Sequence, residues 1–165
     1  MSSVLGTILT GNNLAILGAA IAVALSGWGS AKGVGLVGQA ADGLLSEDPN
    51  KFGKTLVLTA LPATQGIYGL ITAFMVIFKL NLLSGTPVVA TVEQGAALFA
   101  ACLPIGLVGL GSAFHQGKVA AAGVSLIAKK EGELGKAITN AAMVETYAIF
   151  ALLVSLLLIN SVTVG

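Results

Sequence analysis

The chain has little charge and almost nothing that could cross-link it. Only 9% of its 165 residues are charged, against about 25% in soluble domains, which excludes an ordinary soluble domain. One cysteine, Cys102, excludes an internal disulfide. A net charge of +1 gives no reason to expect nucleic acid as a partner. No basic residue precedes Lys32, so we expect the first apolar run to be a permanent helix rather than a cleaved signal peptide.

Long apolar runs are abundant instead, since 56% of the residues are hydrophobic. They fall at 13–41, 54–80, 91–128 and 136–160. A membrane helix needs about 20 apolar residues, and helices satisfy their own backbone in lipid. The sequence therefore predicts an all-α, multi-pass membrane protein with four transmembrane helices. The first and third runs are long, so we expect them to tilt or to project beyond the bilayer.

The basic residues are unevenly distributed, and all eight are lysines. Seven lie in or near the first and third breaks between runs: Lys32, Lys51, Lys54, Lys118, Lys129, Lys130 and Lys136. Only Lys79 lies toward the other side. The positive-inside rule then predicts that the two charged loops are cytoplasmic and that both termini lie outside the cell membrane.

The chain repeats itself at a shift of 82 residues without a gap. The matched pairs include Gly27 with Gly109, Gly29 with Gly111, Ser30 with Ser112, Gly35 with Gly117, Lys54 with Lys136 and Thr64 with Thr146. Because one shift holds across the polar loops, we predict two tandem fused hairpins, 1–85 and 86–165. At this shift Glu145 aligns with Ala63, so only the second hairpin has the carboxylate.

Glu145 is the one charged residue in a stretch that is otherwise apolar or small from Ala137 to Ile159. A charged side chain at such a depth costs several kcal/mol, and residues of this kind usually serve ion or proton movement. We therefore expect Glu145 to carry an ion.

Other polar side chains could complete a site around Glu145. In "LPATQGIYG" the residues Leu61, Thr64, Gln65 and Tyr68 share one helical face by their spacing. Pro62 loosens nearby carbonyls because it removes a backbone hydrogen bond, and Gln116 adds an amide in the third span. Such oxygen donors suit a hard cation and exceed what a proton requires, which favours Na⁺. A proton site, with the glutamines joining helices, remains the alternative.

Glycines mark the first and third spans, including the pair Gly29 and Gly33. Small residues at such spacing let membrane helices approach closely. A single narrow stack of hairpins could use them, and so could a tight ring of many copies with these helices inside. The glycines alone leave both arrangements open.

Five segments together resemble one family: "GSAKGVGLVG", "LPATQGIYG", "HQGKVAAAG", "AKK" and "AAMVETYAI". Over nearly its whole length the chain is similar to the proteolipid (K, or c) subunit of bacterial V-type rotary ATPases. The resemblance implies a non-catalytic subunit. Identical copies would form a rotor ring in the membrane lipid. The ring would turn against a stator subunit that supplies an arginine. A central stalk would join the ring to a soluble head, in which ATP is hydrolysed. It also implies that Na⁺ is held by the Leu61 carbonyl, Thr64, Gln65, Gln116 and Glu145, with Tyr68 bonding the glutamate.

Two other classes of protein remain as rivals. A small proton-coupled four-helix exporter would also use one membrane glutamate, but it would need an aromatic pocket, and the chain has one Trp, two Tyr and six Phe. In a structural assembly protein Glu145 would only pair with a neighbouring cation. Lys79 and Lys118 are the candidates by residue type.

Overall fold

The computed structural model describes residues 10–164, and within that range the regular secondary structure is all helical, without strands, while residues 80–91 form an irregular linker. The predicted ends of the two hairpins, residues 1–9 and 165, lie outside the described range. The helices, in chain order, are α1 (Gly11–Glu47), α2 (Phe52–Ala60), α3 (Thr64–Lys79), α4 (Val92–Lys129) and α5 (Leu134–Ser161). Short 3₁₀ turns at Pro49–Lys51, Leu61–Ala63 and Glu131–Glu133 precede α2, α3 and α5.

Four continuous helical segments are long and apolar enough to cross a membrane: Gly11–Glu47, Pro49–Lys79, Val92–Lys129 and Glu131–Ser161. The prediction of four transmembrane helices is thus confirmed, and the chain is a multi-pass membrane protein. The second segment contains both α2 and α3, and we call it the second span. At 1.5 Å per residue, α1 and α4 are each about 55 Å long, well beyond a hydrocarbon core of about 30 Å.

The helices begin where local sequence supplies a cap or a proline. Thr91 starts α4 with a capping box, in which its side chain accepts from the backbone of Gln94 and the Gln94 side chain accepts from the backbone of Thr91. Thr10 caps α1 through Asn13 N at 3.3 Å. Pro49 opens the second span, since a proline at a first helical position loses no hydrogen bond.

Contacts between the segment ends show that the four segments cross the bundle in alternating directions. At one end, Lys54 pairs with Glu131 and so joins the two charged breaks. At the other end, the Asn12 side chain donates to the Val88 carbonyl at 2.9 Å and accepts from Ala90 N at 2.8 Å. The first and third breaks therefore lie at the same end of the bundle, and the linker between hairpins lies at the opposite end.

The two long helices, α1 and α4, approach each other through glycines. A Cβ placed on Gly29 would lie 2.7 Å from Leu110 Cα. One placed on Gly33 would overlap the backbone oxygen of Ala113. Any larger residue would force the helices apart, so the glycines are required for this packing.

Two apolar clusters fill the bundle at different heights. The first gathers near the linker end: Ala15, Ala22, Val76, Leu80, Leu98, Cys102, Ile105 and Ile159 are among its members. The second lies near the charged end and includes Val37, Leu44, Leu58, Val124, Ile127 and Ala141. Polar side chains at intermediate positions along the spans form the candidate site.

The first charged break begins later than its composition indicates. α1 continues to Glu47, so Asp42 and its neighbours are helical, because a helix that has left the bilayer tolerates polar residues. Five of the seven lysines in or near the breaks lie inside helices, and Lys32 and Lys118 lie farthest from the helix ends. Lys32 is in α1, 5.4 Å from the Trp28 ring, and Lys118 is in α4, 4.2 Å from the Phe114 ring.

Candidate ion site

A 3₁₀ turn at Leu61–Ala63, here called the proline bend, interrupts the second span where the site begins. Pro62 has no N–H group, and the chain forms a 3₁₀ turn there before α3 starts. The Leu61 carbonyl accepts both from the backbone N–H of Thr64 and from its hydroxyl, the latter at 3.1 Å. On the neighbouring helix α1, the Ser30 hydroxyl accepts from Gly66 N at 2.8 Å. The bend therefore places the Leu61 carbonyl oxygen and the Thr64 hydroxyl oxygen side by side.

The two glutamines meet in the interior, and both side chains are fully buried. Gln65 Nε2 donates to Gln116 Oε1 at 2.6 Å and also lies 3.2 Å from Ser112 Oγ. Gln65 Oε1 is within 3.3 Å of the Thr64 hydroxyl. These contacts link the second span to α4 through side-chain amides.

The Glu145 carboxylate ends this chain of hydrogen bonds and is partly buried. Its Oε1 accepts from the Tyr68 hydroxyl at 2.6 Å, and its Oε2 accepts from Gln116 Nε2 at 3.2 Å. From the ends of α5, Glu145 is about 17 Å and about 24 Å away at 1.5 Å per residue, so it lies deep within the span.

No lysine neutralises Glu145 among residues 10–164. The ion pairs of that range all involve residues of the two charged breaks. Lys79 Nζ instead donates to the Asn160 carbonyl at 3.4 Å, and Lys118 lies over an aromatic ring. The carboxylate is met by neutral dipoles, which argues against a purely structural pair.

One hydrogen-bonded network thus includes all six residues singled out in the sequence: Leu61, Thr64, Gln65, Tyr68, Gln116 and Glu145. They come from the second span, α4 and α5. The set offers oxygen atoms and a single negative charge. A monovalent cation would make the site neutral, whereas a divalent one would leave an excess positive charge in the membrane.

The described part of the chain does not group the side chains that softer metals prefer as ligands. Within residues 10–164, no group of three or more His, Cys, Asp or Glu side chains could hold a metal ion. His115 is exposed and packs edge-on to Phe114. Oxygen donors without nitrogen or sulfur favour a hard cation.

Two serines that sequence reasoning did not single out as site residues also take part. Ser112 accepts from Gln65 and donates to the Val144 carbonyl at 3.0 Å, one residue before Glu145. Ser30 holds the second span just beyond the bend. A signal was present, because the internal repeat aligns these two serines with each other.

Comparison with protein families gives two matches within this one chain. The model of the family described as the C subunit of ATP synthase matches residues 17–76 and again residues 99–158. The two matches are themselves 82 residues apart and fall one in each predicted hairpin, so the tandem repeat is confirmed.

Curated relatives match over most of the chain. The V-type sodium ATPase subunit K of Enterococcus hirae is 49% identical over 145 residues, which cover 88% of this chain and 89% of that protein. The A-type ATP synthase subunit K of Methanocaldococcus jannaschii is 40% identical over 152 residues, covering 92% of this chain. The match spans 64% of the length of the Methanocaldococcus protein.

Proposed function

This chain belongs to the family of ATP synthase C subunits, and we propose that it is a membrane rotor-ring subunit that binds Na⁺ at Glu145 and carries it across the membrane. Rotation of the ring against a stator, driven by ATP hydrolysis in a soluble head, supplies the work. Support for the ion comes from the relative named as a sodium ATPase subunit, which is 49% identical to this chain.

The observation that carries the proposal is the network around Glu145. A partly buried carboxylate is joined to two buried amides, a threonine hydroxyl and a backbone carbonyl at a proline bend. A proton would need only the carboxyl group and one hydrogen-bond partner such as Tyr68. The additional oxygens are the ligands that a hard cation such as Na⁺ prefers.

The charge of the site explains why transport follows rotation. With Na⁺ bound, the site around the Glu145 carboxylate has no net charge and can face the lipid at little cost. Without it, the carboxylate is an anion in hydrocarbon and is strongly disfavoured. The ion therefore leaves only where a stator arginine and an aqueous path compensate the charge. Each unit charge moved against 100 mV costs about 2.3 kcal/mol, which ATP hydrolysis must provide.

The assembly follows from the same proposal. The subunit is not itself catalytic; identical copies form the ring, a stator subunit lies beside it, and a central stalk connects it to the ATPase head. The division between hairpins falls at residues 85 and 86, in the linker between α3 and α4. The two charged breaks, which share one end of the bundle, face the cytoplasm, and the termini face outward.

Labelling of Glu145 tests the choice of ion. The purified protein is treated at about pH 6 with a carbodiimide that modifies only protonated carboxyl groups, in NaCl or in KCl of equal ionic strength. Modification at Glu145 is then read by mass spectrometry of the peptide. We expect NaCl to protect Glu145 and KCl not to protect it.

The other outcomes oppose the proposal in different ways. Equal labelling in both salts would indicate a proton-carrying ring and would leave the glutamines as links between helices. No labelling in either salt would show that Glu145 is not an accessible carrier, which would favour a structural role.

A further inference from the structure

The direction in which the Gln65 amide points decides whether it can be an ion ligand. A glutamine side chain has an oxygen that accepts and a nitrogen with two N–H donors, and only the oxygen attracts a cation. Gln65 is fully buried, with Thr64 on one side of the amide and Gln116 and Ser112 on the other. A reversed amide would place N–H groups beside the Thr64 hydroxyl, where they would repel a cation.

Gln116 supplies the first constraint on this direction. An ionised carboxylate only accepts hydrogen bonds, so Gln116 turns its Nε2 toward Glu145 Oε2, at 3.2 Å. The Oε1 of Gln116 is then left for Gln65 and accepts from Gln65 Nε2 at 2.6 Å. This constraint comes from the carboxylate and reaches Gln65 only through Gln116.

Ser112 supplies a second constraint that does not involve the carboxylate. Its hydroxyl has a single proton, which it donates to the Val144 carbonyl at 3.0 Å. The Ser112 oxygen is then an acceptor, and it lies 3.2 Å from Gln65 Nε2. A reversed Gln65 would bring its carbonyl oxygen against this hydroxyl oxygen with no proton between them. Ser112, itself oriented by the backbone of α5, therefore disfavours the reversed amide.

The opposite side of the Gln65 amide has more acceptors than donors. There the Thr64 hydroxyl oxygen lies 3.1 Å from the Leu61 carbonyl oxygen and 3.3 Å from Gln65 Oε1. The hydroxyl has one proton for these two oxygens. Three oxygen atoms with a single side-chain proton among them form a place that suits a hard cation.

We infer that Ser112 is a positioning residue of the ion site, which holds Gln65 with its amide oxygen toward a bound Na⁺ and is not itself a ligand. The inference rests on the proposed function and adds to it the residue that orients one of the ligands. Through one hydroxyl, Ser112 of α4 connects Gln65 in the second span with Val144 in α5. The carboxylate is held by other donors, so Ser112 acts on the ion through Gln65.

Removing the hydroxyl tests the inference. In Ser112→Ala, the NaCl concentration that half-protects Glu145 from carbodiimide should rise about 2-fold to 10-fold, the size expected for one neutral hydrogen bond. The labelling rate in KCl should equal that of the parent, because the hydroxyl does not hold the carboxylate. Ser112→Thr keeps a hydroxyl and should restore the parent value. Ser112→Cys has a poor acceptor of similar size, covers poor folding of the alanine variant, and should also weaken protection.

A double-mutant cycle shows whether Ser112 acts through Gln65. Gln65→Ala removes the amide that Ser112 orients. Adding Ser112→Ala to Gln65→Ala should therefore change the half-protecting NaCl concentration by less than about 2-fold. If Ser112 were only a packing contact between α4 and α5, the second substitution would weaken protection by the same factor with or without Gln65.

Ser155 provides a matched control in the same chain. It is also a buried serine that joins α4 and α5, since it is 0% exposed and accepts from Ile105 N at 3.2 Å. It lies about 15 Å along α5 from Glu145, away from both glutamines. Ser155→Ala should lower the melting temperature but leave the half-protecting NaCl concentration at the parent value.

Four outcomes bear on the inference. Weaker protection in Ser112→Ala that Ser112→Thr restores, and that needs Gln65, supports it. Protection like that of the parent in both Ser112→Ala and Ser112→Cys overturns it and leaves the proposed function intact. An equal effect without Gln65, or in Ser155→Ala, also overturns it. A parent chain that Na⁺ does not protect would refute the proposed ion, and with it the role of Ser112 toward that ion.

Discussion

Removing a single hydroxyl from Tyr68 provides the sharpest test of the network. Tyr68→Phe keeps the ring and its packing but deletes the donor that lies 2.6 Å from Glu145 Oε1. Gln116 at 3.2 Å would be the remaining hydrogen-bond donor to the carboxylate. If the site binds Na⁺ as proposed, the ionised Glu145 carboxylate should then be held less firmly in the position that binds the ion.

The magnitude follows from the kind of bond that is lost. A hydrogen bond to a charged group contributes about 1.5–3 kcal/mol. Each 1.4 kcal/mol is about tenfold in affinity, so Na⁺ binding should weaken by about 10-fold to about 150-fold. The value is read as the NaCl concentration that gives half-protection of Glu145 from carbodiimide.

The chain provides its own matched control, since it has two tyrosines. Tyr147→Phe makes the same chemical change on α5, at a side chain that is 65% exposed and outside the network. We expect its half-protecting NaCl concentration to equal that of the parent. An unchanged value in Tyr68→Phe, or an equal shift in both variants, would refute the reasoning.

Three further variants test other parts of the molecule. Glu145→Gln should abolish Na⁺ transport in reconstituted vesicles and leave assembly on native gels intact, since the amide is neutral; normal transport would contradict the role of Glu145. Gln116→Ala should weaken Na⁺ protection by about tenfold through the lost contact to Glu145, while Gln39→Ala, exposed on α1, should not; equal effects would remove Gln116 from the site. Gly29→Ala should lower the free energy of unfolding by about 1–3 kcal/mol, because its Cβ meets the α4 backbone, whereas Gly43→Ala has open space and should be neutral in thermal melting. Equal melting temperatures would show that α1 and α4 are not in such close contact.

Much of the fold could be predicted because its signals are local. Apolar length identified the four spans, and the repeat identified the hairpins, since both are properties of sequence spacing alone. Helix ends were less predictable. α1 runs on to Glu47 through Asp42, because hydropathy marks the edge of the bilayer and not the end of a helix.

The members of the hydrogen-bonded network were predictable for a different reason. A carboxylate deep in an apolar span must have partners, and few polar side chains were available to supply them. How the partners connect was not predictable. The Ser112 contact to Val144 O depends on the height at which α4 meets α5. Likewise, Ile105 N, next to Pro104 in α4, donates to Ser155 Oγ at 3.2 Å, a contact between residues 50 apart.

Ala63 determines how many ions a rotor built from this chain would move per turn. Each copy adds two hairpins to the circumference but only one carboxylate, so cargo sites recur at every second hairpin. A ring with as many hairpins and a carboxylate in each would move twice as many ions per turn. For the same work per revolution, the present arrangement gives each ion twice the free energy, and so it could drive Na⁺ against twice the membrane potential. Having alanine rather than a carboxylate at position 63 would thus exchange ion flow for pumping force.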